Sequence, residues 1–375
     1  MVAHFKDDFL PLSETFIYTL LKGMRRYRAI VIDRRERQNP QQFPFDHYYS
    51  PVEAVGKWYG VVERLALRYF GRSPYLEGVI KQEKAGIIHA HFGQLGALIA
   101  PVARLLSLPL VVSFYGQDLS IFAGHEAWQQ RFQLLWREVH TVLALGPNMV
   151  HDLQRAGCPA QKITVLPVAV DLQRFRYIER KPPATGETVS LLTVGRLVDK
   201  KGVDVILRAL PLLSKNFEVR LSIAGEGPQR AALESLAQQL GVAGMTTFLG
   251  WIEHEALAAE MSNAHLFVLA SRDDRRTGET EGTPAVLLEA QASGLPVIST
   301  FHAGIADIID DDRSGWLVPV DDPHALAKQL DVVIRRRAEW ARFSRNARAY
   351  VENNHSQNVI AARLENIYDV CLGRT

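Results

Sequence analysis

Two glutamates, Glu281 and Glu289, enclose the segment EGTPAVLLE, and carboxylates at this spacing can bind two parts of one ligand. Thr283 suits a helix N-cap, and Pro284 suits the first helical position because its missing N–H costs no hydrogen bond there. The pattern predicts a helix over residues 285–292, with Glu281 in the loop before it and Glu289 about two turns inside it. Since a helix N-terminus attracts anions, the segment indicates a site for a sugar joined to a nucleotide through phosphates.

Three further motifs come earlier in the chain, and each follows a predicted strand. TVGRLVDKKG continues from a strand into a cationic loop, LSIAGEGP ends a strand at a glycine turn, and HLFVLAS leads into a polar loop. Glycines at such a turn let the backbone pass close to a ligand. Because open parallel sheets bind ligands outside the carboxyl ends of their strands, the motifs and the glutamates predict one shared site. The residues that the motifs contribute are Gly195, Arg196, Lys201, Gly225, Gly227 and Ser271.

In these motifs the chain resembles the retaining glycosyltransferases of family 4, which have the GT-B fold. The segments that carry the resemblance are GRLVDKKG (195–202), AGEGP (224–228), EGTPAVLLEA (281–290) and SGLPVIST (293–300). Closer to the N-terminus, the chain is similar to bacterial exopolysaccharide enzymes of the colanic-acid type in LSETFI (12–17), IHAHFG (88–93) and SFYGQDLS (113–120). The resemblance covers nearly the whole chain. It implies an α/β fold of two doubly wound Rossmann-like domains, with a cleft between them and a C-terminal helix that crosses back to the N-terminal domain.

The resemblance also implies a role for each residue on the donor side. Arg196 and Lys201 match the family's diphosphate clamp. Glu281 matches the carboxylate that orients the transferred sugar, and Glu289 matches the one that holds the ribose hydroxyls. Fixed cations and helix N–H groups can stabilise a departing diphosphate, so the resemblance implies retention of configuration without a metal or another cofactor. The backbone around the helix N-terminus is supplied by Gly282, Thr283, Pro284 and Ala285.

The N-terminal half is expected to hold the acceptor, and here the chain departs from the family. Many relatives have a histidine where this chain has Tyr115 before Gly116. A tyrosine can hydrogen-bond a sugar, but it does not act as a base near neutral pH. Asp118 is the nearest carboxylate, and two interpretations of it stay open: it contacts the acceptor, or it only caps the following turn.

Other polar residues of this half are candidates for acceptor contacts. Ser13 and Glu14 open the first predicted helix, where relatives use a loop that faces the cleft. His89 and His91 alternate along one strand and therefore point to the same side. Because no third ligand stands at a suitable spacing, structural or acceptor-lining roles are favoured over a metal site.

Length and patterning predict two domains. A chain of 375 residues is too long for one hydrophobic core. Strands that alternate with helices predict parallel sheets, one in an N-terminal domain over 1–175 and one in a C-terminal domain over 189–355. The polar stretch 174–188, which contains Pro and Gly, is the predicted linker. The last helix, about 356–375, is expected to pack on the N-terminal domain.

Composition bears on location and partners. The sequence has no signal-peptide pattern, no apolar run long enough for a bilayer, and two cysteines far apart, which favours a cytoplasmic protein. Residues 1–175 carry 20 basic and 15 acidic side chains, whereas the rest of the chain carries 23 and 26. The segment 58–72 places basic residues beside aromatic ones, which suits peripheral contact with an anionic membrane or simply a solvated helix face. Nucleic acid is disfavoured, because acids are interspersed among the basic residues and no recognised module occurs.

These features predict a retaining hexosyltransferase of bacterial cell-surface or exopolysaccharide synthesis. Its donor would be a nucleoside-diphosphate sugar, and its acceptor a glycan or a polyprenyl-diphosphate-linked glycan. The alternatives are a soluble small-molecule glycosyltransferase, a nucleotide-sugar epimerase and a non-catalytic nucleotide-sugar binder on the same fold. A sugar phosphorylase would need a motif that holds phosphate or pyridoxal phosphate, and no such motif is visible in the sequence.

Overall fold

The computed structural model describes residues 1–9, 11, 14–122, 125–184, 186–213 and 217–374. The chain forms two compact units. The first contains Met1–Ala169 together with Gln357–Thr375, and the second contains Val170–Ser356. Each unit is built around its own parallel sheet.

In the described part of the first unit, the sheet has seven strands: β1 (Val2–Lys6), β2 (Ala29–Asp33), β3 (Tyr48–Tyr49), β4 (Ile87–His91), β5 (Leu110–Ser113), β6 (Thr141–Ala144) and β7 (Ile163–Val165). Their spatial order is β3-β2-β1-β4-β5-β6-β7, and all neighbours are parallel. The helices between them are α1 (Thr15–Gly23), α2 (Pro51–Ala54), α3 (Lys57–Phe70), α4 (Pro74–Gln82), α5 (Gly93–Leu105), α6 (Gln117–Phe122), α7 (Glu126–Glu138) and α8 (Pro147–Arg155). The central strands β1, β2, β4 and β5 are buried along their whole length, as expected for parallel strands that helices cover on both faces.

The described part of the second unit has six strands: β8 (Val189–Val194), β9 (Val219–Ala224), β10 (Thr246–Gly250), β11 (Leu266–Leu269), β12 (Val297–Thr300) and β13 (Gly315–Val318). Their order is β10-β9-β8-β11-β12-β13, and they too are parallel. The helices are α9 (Val203–Ala209), α10 (Arg230–Gln239), α11 (His254–Asn263), α12 (Ala285–Ala292), α13 (Pro323–Arg335) and α14 (Trp340–His355). Two doubly wound parallel sheets confirm the α/β class and the Rossmann-like character predicted for both domains.

The last helix, α15 (Gln357–Cys371), belongs to the first unit although it follows the whole of the second along the chain. Its apolar side packs into one core cluster with Val2 of β1 and Leu20 of α1. Glu365 accepts hydrogen bonds from three consecutive backbone N–H groups at the end of α1, those of residues 25–27. The predicted packing of this helix on the N-terminal domain is therefore confirmed.

The division between the units lies earlier than the predicted linker. The chain changes unit after Ala169, so the predicted linker 174–188 lies within the second unit and the domain bounds at 175 and 189 differ from the structural ones. Arg180 of this stretch is 4 % exposed, and its guanidinium donates to the carbonyl oxygens of Ser262 and Ser293. Pro and Gly indicate that a segment is neither helix nor strand, but they do not indicate whether it packs on a domain.

Helix α12 spans the predicted residues 285–292, but its N-cap differs from the predicted one. Pro284 takes the capping position with an extended backbone, and Ala285 is the first helical residue, so Thr283 is not the N-cap. Among the described residues, no side chain caps the first turn. The N–H groups of that turn consequently remain available to an anion.

Candidate active site

The residues predicted to bind the donor follow adjacent strands of the second sheet. The Gly195–Lys201 loop follows β8, Gly225 follows β9, and Ser271 lies just beyond β11. Glu281 leads into α12, whose helical residues include Glu289. Because the carboxyl ends of parallel strands meet at one edge of a sheet, the sheet order brings these loops together.

Lys201 and Glu281 form an ion pair of low exposure. Lys201 Nζ donates to Glu281 Oε2 over 2.6 Å, and the two side chains are 13 % and 10 % exposed. Ser271 Oγ donates to the same carboxylate oxygen over 3.4 Å. Burial alone would raise the pKa of Glu281, but the charges of Lys201 and Lys200 outweigh it and hold this pKa below its usual value. An ionised carboxylate therefore stands beside a fixed ammonium group.

A second ion pair runs parallel to the first. Lys200 is buried and donates to Glu279, two residues before Glu281 on the same loop. The turn at Asp199–Lys201 and the loop that leads into α12 are thus joined twice. This double attachment restricts where the Lys201 ammonium can move.

Arg272, which was not among the predicted site residues, anchors the same turn. Its side chain is 3 % exposed, and its guanidinium donates to three aspartates over 2.6–2.8 Å. Its backbone N–H also donates to the carbonyl oxygen of Lys200 over 2.9 Å. Asp199 and Asp204 are five residues apart, but Asp321 comes from a distant segment, so sequence spacing gave no sign of the full cluster. The three aspartates are Asp199, Asp204 and Asp321.

Arg196 lies in the same loop but has a different environment. Its side chain is exposed, and among the described residues it forms no ion pair. An unengaged guanidinium on a loop can turn towards a phosphate without first breaking another bond. Of these two cations, Lys201 pairs with Glu281, and Arg196 forms no ion pair with a described residue. The joint role of Arg196 and Lys201 in a diphosphate clamp therefore stays a prediction.

The glycines of the donor-side loops make room for the protein's own backbone. A Cβ on Gly225 would lie 1.9 Å from the carbonyl oxygen of Gly195, and one on Gly227 would lie 2.5 Å from that of Leu197. We expected these glycines to admit a ligand. In the structure they allow the loops after β8 and β9 to pack together, and their contact with a donor stays a prediction.

Glu289 is a half-buried carboxylate on α12. Burial raises its pKa to about 7, even though the charge of Arg174 acts in the opposite direction. The group is therefore divided between its neutral and ionised forms near neutral pH. A ligand whose hydroxyls donate to it would favour the ionised form.

The raised pKa of Glu289 predicts pH-dependent nucleotide binding. If ribose hydroxyls donate to the ionised carboxylate, the affinity for a nucleoside diphosphate should rise about tenfold between about pH 6 and about pH 8, because protonated Glu289 must first lose its proton. Titration calorimetry across this range measures the slope. Glu289→Gln cannot ionise and serves as the control, since any slope that it keeps belongs to the nucleotide or to other groups. Equal slopes in both proteins would contradict the ribose assignment.

His302 is a neighbour of Glu281 that the motifs missed. It follows β12, its side chain is 11 % exposed, and its Nε2 lies 3.6 Å from Asp273 Oδ1. Burial lowers its pKa, which keeps the ring neutral near pH 7, and its charge when protonated acts on Glu281. Its place just beyond a strand of the same sheet was the only sign that the sequence offered.

In the first unit, Asp118 caps the turn that follows β5. Its carboxylate accepts hydrogen bonds from the N–H groups of Gly93, Tyr115 and Gly116 over 2.9–3.1 Å. The residue is 1 % exposed, and burial raises its pKa to about 6 despite these bonds. Asp118 thus caps a turn, although the bonded turn precedes it, and its contact with the acceptor stays a prediction.

His91 is too deeply buried for the acceptor contact that was predicted for it. The residue is 1 % exposed, and its Nδ1 lies 2.7 Å from the hydroxyl of Tyr115. Any effect of His91 on a bound acceptor therefore has to pass through Tyr115.

The register between β1 and β4 adds a third histidine, which corrects the expectation that none stands nearby. His4 lies opposite His89, and His4 Nδ1 is 3.1 Å from His91 Nε2. The two ring nitrogens of His89 lie within hydrogen-bond distance of the hydroxyl groups of Tyr368 and Ser113. Within the described part of the chain, only Nε2 of His4 lacks a partner among the six ring nitrogens.

The three histidines are close enough to share a metal ion, since one nitrogen of each lies within 4.8 Å of the others. Burial lowers the pKa of all three, so the rings are neutral as ligation requires. A metal would have to replace hydrogen bonds that these nitrogens already make. The contacts therefore favour a structural network, as the sequence had indicated for His89 and His91.

Glu14 lies at the start of α1, next to Ser13, which is outside the described residues. Its Oε2 is 2.6 Å from Nζ of Lys6, the last residue of β1, which is 4 % exposed. Burial raises the pKa of Glu14 in spite of this cation. The motifs missed Lys6, although a lysine that ends an apolar strand was a usable signal.

The chain matches two protein families along its length. Residues 13–174 match the family described as Glycosyltransferase Family 4, and residues 175–350 match the one described as Glycosyl transferases group 1. Over 288 residues the chain is 32 % identical to the putative colanic acid biosynthesis glycosyltransferase WcaL of Escherichia coli (strain K12). The alignment covers 76 % of this chain and 70 % of the relative. The chain belongs to the family 4 glycosyltransferases of the exopolysaccharide type.

Two further comparisons extend over most of this glycosyltransferase. The amylovoran biosynthesis glycosyltransferase AmsK of Erwinia amylovora is 29 % identical over 351 residues, with 86 % of this chain and 85 % of the relative covered. The crystal structure of HepE from Anabaena in complex with UDP has a TM-score of 0.78 at 16 % identity and covers 99 % of this chain and 100 % of that one. The enzyme thus has the GT-B fold. Among its described helices, none combines the length and hydrophobicity that crossing a bilayer requires.

Proposed function

We propose that this glycosyltransferase moves a hexosyl unit from a nucleoside-diphosphate sugar to a growing glycan, with retention of anomeric configuration. The observation that carries the proposal is the Lys201–Glu281 ion pair, which lies before the uncapped first turn of α12. A cation and free N–H groups suit a diphosphate, and an ionised carboxylate suits sugar hydroxyls. The solved neighbour HepE binds UDP and UDP-glucose, which makes UDP-glucose the first donor to test.

The chemistry follows from where negative charge develops. When the bond between the sugar and the diphosphate breaks, the departing oxygen gains charge. Lys201, Arg196 and the N–H groups of α12 can stabilise this charge without a metal. The acceptor hydroxyl attacks the anomeric carbon from the face that the diphosphate leaves, and its proton passes to the departing diphosphate oxygen. In this scheme Glu281 orients the sugar, and the two carboxylates that flank the scissile bond in a glycosidase are not needed.

Measurement of nucleoside diphosphate release tests this function. UDP-, GDP- and ADP-sugars would each be incubated with and without a glycan acceptor, and in the presence of EDTA. We expect release that depends on acceptor and persists with the chelator. Conversion of the sugar without release would indicate the epimerase alternative, and a raised melting temperature without any turnover would indicate a binder. Loss of all activity in EDTA would contradict the metal-free scheme.

We further propose that the acceptor is carried by a lipid at an anionic membrane surface on the cytoplasmic side, and that α3 contacts this surface. Trp58, Val62, Leu65 and Tyr69 are exposed at a spacing that places them on one face of the helix. Phe70, the last residue of α3, is 80 % exposed like Trp58 but lies about 120° from it around the helix axis. Monomeric proteins seldom expose such a contiguous apolar face without a partner.

The cations of α3 are fewer than the sequence suggested. Arg72 is held by Glu77 in a bidentate ion pair, and Arg64 donates to the backbone of Arg34. Arg68 remains exposed beside the apolar face without an ion pair in the described part of the chain, whereas the exposed Lys57 pairs with Glu36. The aromatic residues should therefore supply more of the membrane affinity than the charges do.

Replacement of the exposed aromatic residues tests this contact. Trp58→Ser and Phe70→Ser should each weaken binding to anionic vesicles about tenfold, because each removes a side chain that the interface would bury. Sedimentation with anionic and neutral vesicles over a salt series measures the effect. Phe301→Ser is the matched control, since Phe301 is 70 % exposed but lies in the second unit. If wild type does not bind anionic vesicles at low salt and a soluble sugar is glycosylated efficiently, the lipid-linked acceptor is wrong.

A further inference from the structure

A pocket of about 550 Å³ opens in the first unit beside the end of β1, and its volume lies in the range of small-ligand sites. Two ion pairs of low exposure line it: Lys6 with Glu14, and Arg34 with Asp7, both over 2.6 Å. Each pair is neutral as a unit. These side chains thus offer hydrogen-bonding groups to a ligand but little net charge.

The other acids of the lining are also compensated. Asp8 lies 3.3 Å from the guanidinium of Arg35, and Asp118 is engaged with backbone N–H groups. In the described part of the chain, Asp118 is the one acid of the lining without a cationic partner, so it can balance one further cation but not two.

Two arginines of the lining provide such cations, Arg68 on α3 and Arg131 on α7. Both are exposed, and within the described part of the chain neither forms an ion pair. The guanidinium of Arg131 lies 5.0 Å from the ring centroid of Trp128, and that of Arg68 lies 5.7 Å from the ring of Tyr69. With Arg35 counted, five basic side chains stand against four acidic ones, so the pocket has a net charge of one positive unit and an aromatic ring beside its two unpaired guanidinium groups.

We propose that this pocket binds the acceptor as a sugar phosphate, with the phosphate at Arg68 and Arg131 and the sugar ring against Trp128. The inference rests on the proposed function, because it assigns the pocket to the acceptor. Guanidinium groups match phosphate oxygens in bidentate geometry, and two of them suit a group with two negative charges better than a single carboxylate. The neutral ion pairs with Lys6 and Arg34 then serve the sugar hydroxyls.

The position of Arg68 indicates which end of the sugar carries the phosphate. Arg68 lies on α3, the same helix that exposes Trp58 and Tyr69. A phosphate that joins a sugar to a lipid would therefore be held beside the proposed membrane-contacting face. The ligand class is accordingly a sugar with phosphate or diphosphate at its reducing end.

Equilibrium dialysis with labelled glucose 1-phosphate tests the site in the full chain, with excess UDP to occupy the donor site. We expect binding that Arg131→Ala and Arg68→Ala each weaken about tenfold. Arg131→Lys should restore part of the affinity, because it keeps the charge but loses the planar fork. Arg137→Ala is the matched control: Arg137 is exposed on the same helix α7 but does not line the pocket. Melting temperatures and UDP affinities of all variants should equal those of wild type.

Each of the following alternative results would contradict one part of the proposed phosphate site or of the proposed function. No binding of glucose 1-phosphate, or equal losses in Arg131→Ala and Arg137→Ala, would show that the pocket is not a phosphate site. If glucuronic acid binds as tightly as glucose 1-phosphate, the pocket recognises a carboxylate and not specifically a phosphate. If glucose 6-phosphate binds as tightly as glucose 1-phosphate, the inferred position of the phosphate at the reducing end is wrong. If glucose 1-phosphate binds but UDP does not, the proposed donor function fails while the pocket assignment stands.

Discussion

Replacement of Lys201 with alanine should lower turnover by about two to three orders of magnitude, or about 3–4 kcal/mol of barrier. The ammonium group lies at hydrogen-bond distance from Glu281 and is held in place by the surrounding loops. Its loss removes the charge that opposes the one developing on the departing diphosphate. Steady-state kinetics with saturating donor measures kcat, and calorimetry with the free nucleoside diphosphate measures affinity. We expect the larger loss in kcat.

Lys200→Ala is the comparison variant for Lys201→Ala. It removes the adjacent ammonium, which pairs with Glu279 and not with Glu281. This change should lower the melting temperature more than it lowers kcat. Full activity of Lys201→Ala, or equal kinetic losses in both variants, would show that Lys201 does not stabilise the leaving group.

Removal of the Arg272 side chain should have the second-largest effect, this time on both stability and rate. Arg272→Ala leaves three aspartates without their shared cation, and we expect a loss of about 3 kcal/mol in the free energy of unfolding. The turn that carries Lys201 would lose its anchor at the same time. Urea denaturation measures the free energy of unfolding. A lower kcat, measured far below the melting temperature so that the protein stays folded, would indicate that Lys201 is no longer held in place.

Arg272→Lys separates the two effects. Lysine keeps the charge, but a single ammonium cannot reach three carboxylates in the way that the guanidinium fork does. It should restore more of the stability than of the rate. Normal kcat in a destabilised Arg272→Ala would mean that Arg272 supports the fold alone and does not position Lys201.

The sequence predicted those features that depend on local pattern. Alternating strands and helices gave both parallel sheets, and the motifs after β8, β9 and β11 placed the donor residues at the carboxyl edge of the second sheet. The general rule for open sheets was sufficient for this step. The bounds of α12 were predicted, but its N-cap was assigned to Thr283 and not to Pro284, because both residues satisfy N-terminal preferences and only the backbone decides between them.

Features that depend on which segments meet could not be read from the sequence. His4 joins His89 and His91 only through the register of β1 with β4. The carboxylates around Arg272 come from segments as distant as residue 321, and no spacing rule connects them. The Lys6–Glu14 pair likewise depends on the end of β1 lying beside the start of α1. In each case the missing information is tertiary.

The place of α15 has a consequence for synthesis on the ribosome. Its residues Ile360, Leu364 and Tyr368 belong to the core beneath β1, which is synthesised long before α15. The second unit is continuous along the chain, so it can complete its core before this helix has been made. Domains generally fold as units during translation, in the order in which their residues appear. Here the order of completion is reversed, because the strands of the first unit keep an exposed apolar surface until α15 has been synthesised.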